Sequence, residues 1–182
     1  RTNDFRKEIR IVVDYVDRLP IETAVDRQAS NEAISEEGSL ERSNPVERLD
    51  LRVAQGEKFG LTPYTIDPTL MNEYAQAYEK KYGKPHPRNP AFEDDWYVAR
   101  GPQGQLTSII KCDNTQYLKD GVVLRGDEVV SVKGEIAAGC HHYLVDIGNS
   151  LAIRMSYKRA FLRDWRRMEV AVQEVLERSK VS

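Results

Sequence analysis

The chain has 182 residues, 40% hydrophobic and 31% charged, with 27 Lys plus Arg against 29 Asp plus Glu and a formal charge of -2. That length supports one domain, 1–182, that buries a core without metal clusters or a disulfide framework. A mean hydropathy of -0.59 and no apolar run near the ~18 residues of a membrane span argue against a transmembrane segment, and the charge balance argues against a nucleic-acid partner, whose binder would be strongly basic.

Taken in chain order, residues 9–16 hold Ile9, Ile11, Val12, Val13, Tyr15 and Val16, a β-branched run that reads as a strand and stops at Leu19-Pro20. Residues 26–48 contain only five apolar side chains in 23 positions (Ala29, Ala33, Ile34, Leu40 and Val46), too few for much burial, so the segment reads as a long mobile polar loop with at most a short helix over 31–37. Leu49, Leu51 and Val53 alternate with Asp50, Arg52 and Ala54, the pattern of a brief strand. Asp67-Pro68 then opens a helix: the carboxylate can cap free N–H groups and the proline suits the first helical position. Leu70, Met71, Tyr74, Ala77 and Tyr78 recur at helical spacing up to a stop at Gly83. The prolines between Pro85 and Pro90 exclude regular structure there.

Strands follow in pairs. Residues 96–100 and 106–112 flank Gly101-Pro102-Gln103-Gly104, 122–124 and 129–132 flank Gly126-Asp127, and 140–146 and 151–157 flank Gly148-Asn149. Leu151, Ile153, Met155 and Tyr157 alternate with period two, which marks one buried face. A last helix over 163–178 carries Leu162, Trp165, Met168, Val172, Val175 and Leu176 on one stripe. Strands cluster instead of alternating with helices, so the fold class is α+β: an antiparallel sheet packed by a long C-terminal helix and a second helix.

Few residues offer chemistry. Cys140-His141-His142 places a thiol beside imidazoles, the materials of a nucleophile or a metal site. Strand neighbours point to opposite faces, however, so only Cys140 and His142 can share one, and no metal-ligand or nucleophile motif accompanies them. Cys112 and Cys140 both fall at strand ends, where a bridge is feasible; two free thiols are the alternative. The basic run from Arg154 through Arg167 reads as a solvated face. Glu93, Asp94 and Asp95 precede Trp96 and Tyr97, an acidic loop beside aromatics of the kind that anchor interfaces, although at least one of the two rings should be core. No catalytic residue, cofactor or metal is expected, which favours a binding module over an enzyme.

Three segments together resemble a known family: Ser108-Ile109-Ile110-Lys111-Cys112, then Cys140-His141-His142-Tyr143, then Met155-Ser156-Tyr157 continuing through Leu162, Trp165, Met168 and Glu169. The pattern, over residues 96–178, resembles the C-terminal domain of immunity proteins that neutralise lipase effectors of the bacterial type VI secretion system. Val16-Asp17-Arg18-Leu19-Pro20 is distantly similar to that family's opening strand. The resemblance implies a periplasmic protein, exported by a signal absent from this chain, with a Cys112–Cys140 disulfide and no chemistry of its own. It also implies a cognate effector partner, a lipase or phospholipase, that the protein binds and inhibits. The expected contacts are the polar loop and Glu93, Asp94, Asp95, Trp96 and Tyr97. The alternatives are an adaptor or chaperone that carries such an effector, and a small enzyme built on Cys140 and His142.

Overall fold

The computed structural model describes residues 4–126 and 128–179. In chain order the regular elements are β1 (Arg10–Tyr15), β2 (Arg52–Ala54), β3 (Thr62–Ile66), α1 (Pro68–Tyr82), β4 (Asp95–Arg100), β5 (Leu106–Cys112), β6 (Val122–Arg125), β7 (Glu128–Ser131), β8 (Gly139–Asp146), β9 (Leu151–Lys158) and α2 (Trp165–Ser179). Seven strands form one antiparallel sheet in the order β1-β9-β8-β5-β4-β3-β2, and β6 with β7 forms a separate two-stranded ribbon. The α+β class read from the sequence is the class observed.

Period two sorts the sheet into two faces. Tyr97, Ala99, Ile110, Cys112, Cys140, Leu144, Ile153, Met155 and Tyr157 point to one side, where Leu162, Trp165, Met168 and Val172 cover them. Trp96, Val98, Ile109, Tyr143 and Val145 point to the other, where Val25, Ala29 and Leu49 cover them. Strands covered on both faces lose their polar alternation, which is why Trp96, Tyr97, Val98 and Ala99 are all buried in β4.

Helix α1 begins and ends as its sequence dictates. Asp67 accepts hydrogen bonds from the N–H groups of Thr69 (2.8 Å) and Leu70 (3.2 Å). Gly83 takes the left-handed φ of 67° that closes a helix without a Cβ penalty. Its Met71 and Tyr74 are buried, and its C-terminal turn meets the turn Leu40–Ser43, where Tyr82 Oη donates to Glu41 at 2.9 Å.

Several expectations change. Residues 26–48 contain no α-helix or strand, yet they are laid down as successive turns that bury Ala29, Asn31 and Pro45. The expected helix over 31–37 is a set of turns. The alternation from Leu49 to Val53 is a 3-10 turn (Leu49–Leu51) running into β2, because Leu49 must reach the sheet while Arg52 turns inward. Strand β3 had no reading in the sequence: Pro63 disguises it, yet its missing N–H falls just beyond the last residue of β2, where Gln55 N–H still reaches the Pro63 carbonyl. At the β8–β9 corner the left-handed residue is Ser150 (φ 54°), one past the expected Gly148-Asn149 pair. In the β6–β7 hairpin Gly126 takes φ 61°; Asp127 lies outside the described residues.

Candidate functional site

The thiol–imidazole constellation is spent on structure. Cys112 and Cys140 oppose each other directly in the β5–β8 ladder and are joined by a disulfide, with Cα atoms 4.0 Å apart. Asp113 N–H donates to the Gly139 carbonyl at 3.0 Å, so the cysteines occupy the adjacent, non-hydrogen-bonded pair, where opposed strands come closest. His142 does share the face of Cys140, but its ring is wholly buried, 2.8 Å from Glu169 Oε1 through Nε2 and 3.2 Å from the Tyr157 hydroxyl through Nδ1. Ser108 Oγ donates to the same Glu169 oxygen. Serine and histidine thus meet on one carboxylate and not on each other, which is no nucleophile–base pair. The network ties α2 to β5, β8 and β9 and satisfies polar groups inside the core. Burial and the Glu169 charge raise the Tyr157 hydroxyl well above its ordinary pKa. With its thiol bonded and its imidazole engaged, the Cys140/His142 enzyme reading is withdrawn. Among the described residues no group of three His, Cys, Asp or Glu side chains is placed to hold a metal.

The best-built surface feature is the rim where β4 begins and β5 ends. Arg159, itself buried, reaches up from the end of β9. Its Nε donates to Asp120 at 2.7 Å, and its Nη atoms donate to the carbonyls of Asp113 and Leu118. Asp95 accepts the Thr115 N–H at 2.9 Å, Asn114 Nδ2 donates to the Glu93 carbonyl at 2.9 Å, and Asp113 accepts the Gly139 N–H at 2.7 Å. A segment pinned this often is ordered before any partner arrives.

The expected contact residues take different places along this rim. Trp96 and Tyr97 are core side chains, on opposite faces of the sheet, so neither can anchor a partner. Glu93 is also buried and pairs with Arg88, its oxygens 2.6 and 2.8 Å from Nε and Nη2. Asp94 and Asp95 remain at the surface edge; burial, then the neighbouring Asp113 carboxylate, pushes the Asp94 carboxyl up. The aromatics that stand free are two the sequence reading passed over, Phe92 (81% exposed) and Tyr117 (53%). Phe92 follows Asn89-Pro90 in a one-turn 3-10 helix that Asn89 caps, and this lifts the ring away from the sheet.

Behind the rim the second face carries a row of polar side chains in register: Lys111 opposite His141, His141 opposite Ser156, and Ser156 opposite Arg10. Together with Asp94, Asp113, Glu8 and Lys158 they line an open, mixed-charge pocket. Beside it, Arg52 and Lys111 both lie against the Trp96 ring, 4.1 and 4.0 Å from its centroid. Arg52 also donates to the carbonyls of Pro45, Val46 and Asp94, clamping the irregular cover to β4.

Neither the protein-family models nor the curated proteins gave a match. Among solved structures, the chain is similar to Smlt3025, described as an immunity protein of the Stenotrophomonas maltophilia type IV secretion system. The identity is 58% over 98% of this chain and 72% of that one, with a TM-score of 0.92. The chain belongs to that immunity-protein family. The effector-immunity role implied by residues 96–178 is therefore supported, but the secretion system of the neighbour is type IV and not the type VI expected. The likeness also runs through residues 26–90, outside the stretch that carries the sequence resemblance. No helix among the described residues of this immunity protein is long and apolar enough to cross a membrane.

Proposed function

We infer that this protein binds a cognate antibacterial effector and silences it in the periplasm of the cell that makes both. The observation that carries the reading is 58% identity to a secretion-system immunity protein over nearly the whole chain. The Cys112–Cys140 bridge agrees with an oxidising compartment. The effector is delivered by a type IV system, by likeness to the neighbour, and it is a lipase or phospholipase, by the sequence resemblance in residues 96–178. Inhibition is by occlusion, without chemistry from this chain. The contact surface is the pinned rim, with Asp94 and Asp95 as its acidic edge and Phe92 and Tyr117 as its anchors, since exposed aromatics on an ordered surface lose little entropy on binding.

The test titrates the purified protein into its cognate effector, with release of fatty acid from phospholipid vesicles as the readout and calorimetry for affinity. One-to-one binding that abolishes turnover is expected. Binding that leaves turnover intact would make the protein an adaptor, and an effector without lipase activity would overturn the substrate class. Phe92→Ala and Tyr117→Ala should each weaken binding by about tenfold, ~1.4 kcal/mol, with unchanged melting. If neither does, the interface lies elsewhere.

A further inference from the structure

The seven-stranded sheet has two edges, and they are protected very differently. At one end β2 is three residues long, and the chain leaves it through a turn. At the other end β1 runs for six residues in unbroken register with β9, with no proline and no bulge. Short strands, prolines, bulges and charged side chains are the usual guards against pairing with another strand; among the described residues β1 has only the last, Arg10 and Asp14, and these two are of opposite sign.

Its free side can be read from the hydrogen bonds. Val16 N–H donates to the Ser150 carbonyl at 2.8 Å, continuing the β1–β9 register. Alternation then turns the backbone groups of Arg10, Val12 and Asp14 toward β9, and those of Ile11, Val13 and Tyr15 toward the open edge. The side chains of these three lie on the α2 face opposite Met155, Ile153 and Leu151, and they continue the core stripe past the reach of the helix. They are 41%, 39% and 70% exposed.

We propose that β1 is a dimerisation edge that pairs antiparallel with β1 of a second copy of this chain, centred on Val12. This register is the one that uses both features of the edge. It sets Ile11 opposite Val13 of the second copy, both with backbone groups facing outward, so the strands exchange hydrogen bonds there and the apolar stripe continues across the junction. On the other face it sets Arg10 opposite Asp14 of the second copy, twice by symmetry. Arg10 and Asp14 are exposed, and neither makes an ion pair among the described residues. Centring on Val13 instead would keep the apolar pairs but leave Asp14 opposite Val12 and Arg10 opposite Val16. The charges therefore select both the register and the occupant, because a self-complementary pattern is what an isologous contact needs.

The test is sedimentation velocity of the whole chain at low salt over a wide range of concentration. A concentration-dependent shift from the 20.8 kDa chain mass to twice that value is expected. Val13→Lys should hold the protein monomeric. Arg10→Asp should weaken dimerisation about fivefold to tenfold, as two attractive cross-strand pairs become repulsive. Combining it with Asp14→Arg should restore the wild-type constant, a rescue that general destabilisation could not produce. A species that stays monomeric at every concentration overturns the proposal. So does a dimer indifferent to Val13→Lys, or a charge swap that fails to rescue. All the sites are exposed, so each variant should melt like wild type.

Discussion

The two faces of the sheet are closed by opposite means. On one, α2 lays a continuous apolar stripe of Trp165, Met168 and Val172 over β4, β5, β8 and β9, and fastens it from inside through the Ser108–Glu169–His142–Tyr157 network. On the other, the cover is a chain of turns with three buried apolar contacts, Val25, Ala29 and Leu49, and it is fastened by one guanidinium, Arg52, that grips three carbonyls and the Trp96 ring. A helix spreads its stabilisation over many side chains. An irregular cover concentrates it in a few polar clamps, so the two should fail differently.

The largest effect is expected on the helical side. Trp165→Ala should lower stability by about 3–5 kcal/mol, a large part of a domain's whole margin. The indole is buried, stands beside His142, and donates from Nε1 to the Phe59 carbonyl at 2.9 Å. Denaturant unfolding measures the loss. Trp165→Phe keeps most of the packing and should cost only the hydrogen bond, about 1 kcal/mol. Next comes the disulfide within the same core. The two cysteines are 28 residues apart, and replacing both with Ala should cost about 3–4 kcal/mol in the chain-entropy account. Free-thiol titration of the denatured, unreduced wild type should find none; two reactive thiols would remove the bridge from the account and weaken the periplasmic assignment with it.

Breaking the other cover should cost less and stay local. Arg52→Met removes the clamp and takes this donor from the buried carbonyl of Pro45 and the half-buried carbonyls of Val46 and Asp94, a loss of about 2–3 kcal/mol. Hydrogen exchange should then speed up in residues 21–51 while the amides of β8 and β9 keep their protection, since local openings follow the weakest fastening. Uniform loss of protection across both regions would mean that the two covers unfold as one unit, and the contrast between them would fall.

That contrast also decided what the sequence could reveal. Helix α2 announced itself through a stripe at 3.6-residue spacing, and α1 through Asp67-Pro68 and Gly83, because those signals are local. The hairpins were legible from their glycines. The cover at 21–51 was not, for its buried residues follow no period and its strongest contact comes from a charged side chain that sits where a strand alternation placed a solvated one. Period two correctly separated His141 from His142, but nothing local could say that Glu169, 27 positions on, would meet the buried ring. The rim failed for a related reason. Acidic residues beside Trp96 and Tyr97 looked like an exposed recognition loop, but a strand covered on both faces draws both rings inside, and Phe92, one turn earlier, takes the exposed place.

The smallest effect is also the one with the opposite sign. Lys111 sits on the irregularly covered face with its ammonium 4.0 Å from the Trp96 ring centroid. Burial, with the neighbouring Arg52 charge, pushes its pKa down to about 8, against the partial support of Glu47 and Asp94. An unfolded lysine titrates near ~10.4. Below about pH 8 the side chain is charged in both states, so folding pays its full desolvation cost. Between that pH and ~10.4 the folded chain releases its proton while the unfolded chain still holds one, so this residue makes stability rise with pH through that window. Lys111→Met removes the charge and fills the same space. Set against the lost cation–π contact, the variant should be more stable than wild type by about 1 kcal/mol near neutral pH. The advantage should shrink steadily as the pH approaches ~10, as followed by urea midpoints across that range. A variant less stable than wild type near neutrality would show that the contact with Trp96 outweighs desolvation, and that Lys111 is a second clamp beside Arg52 and not a cost that this face carries.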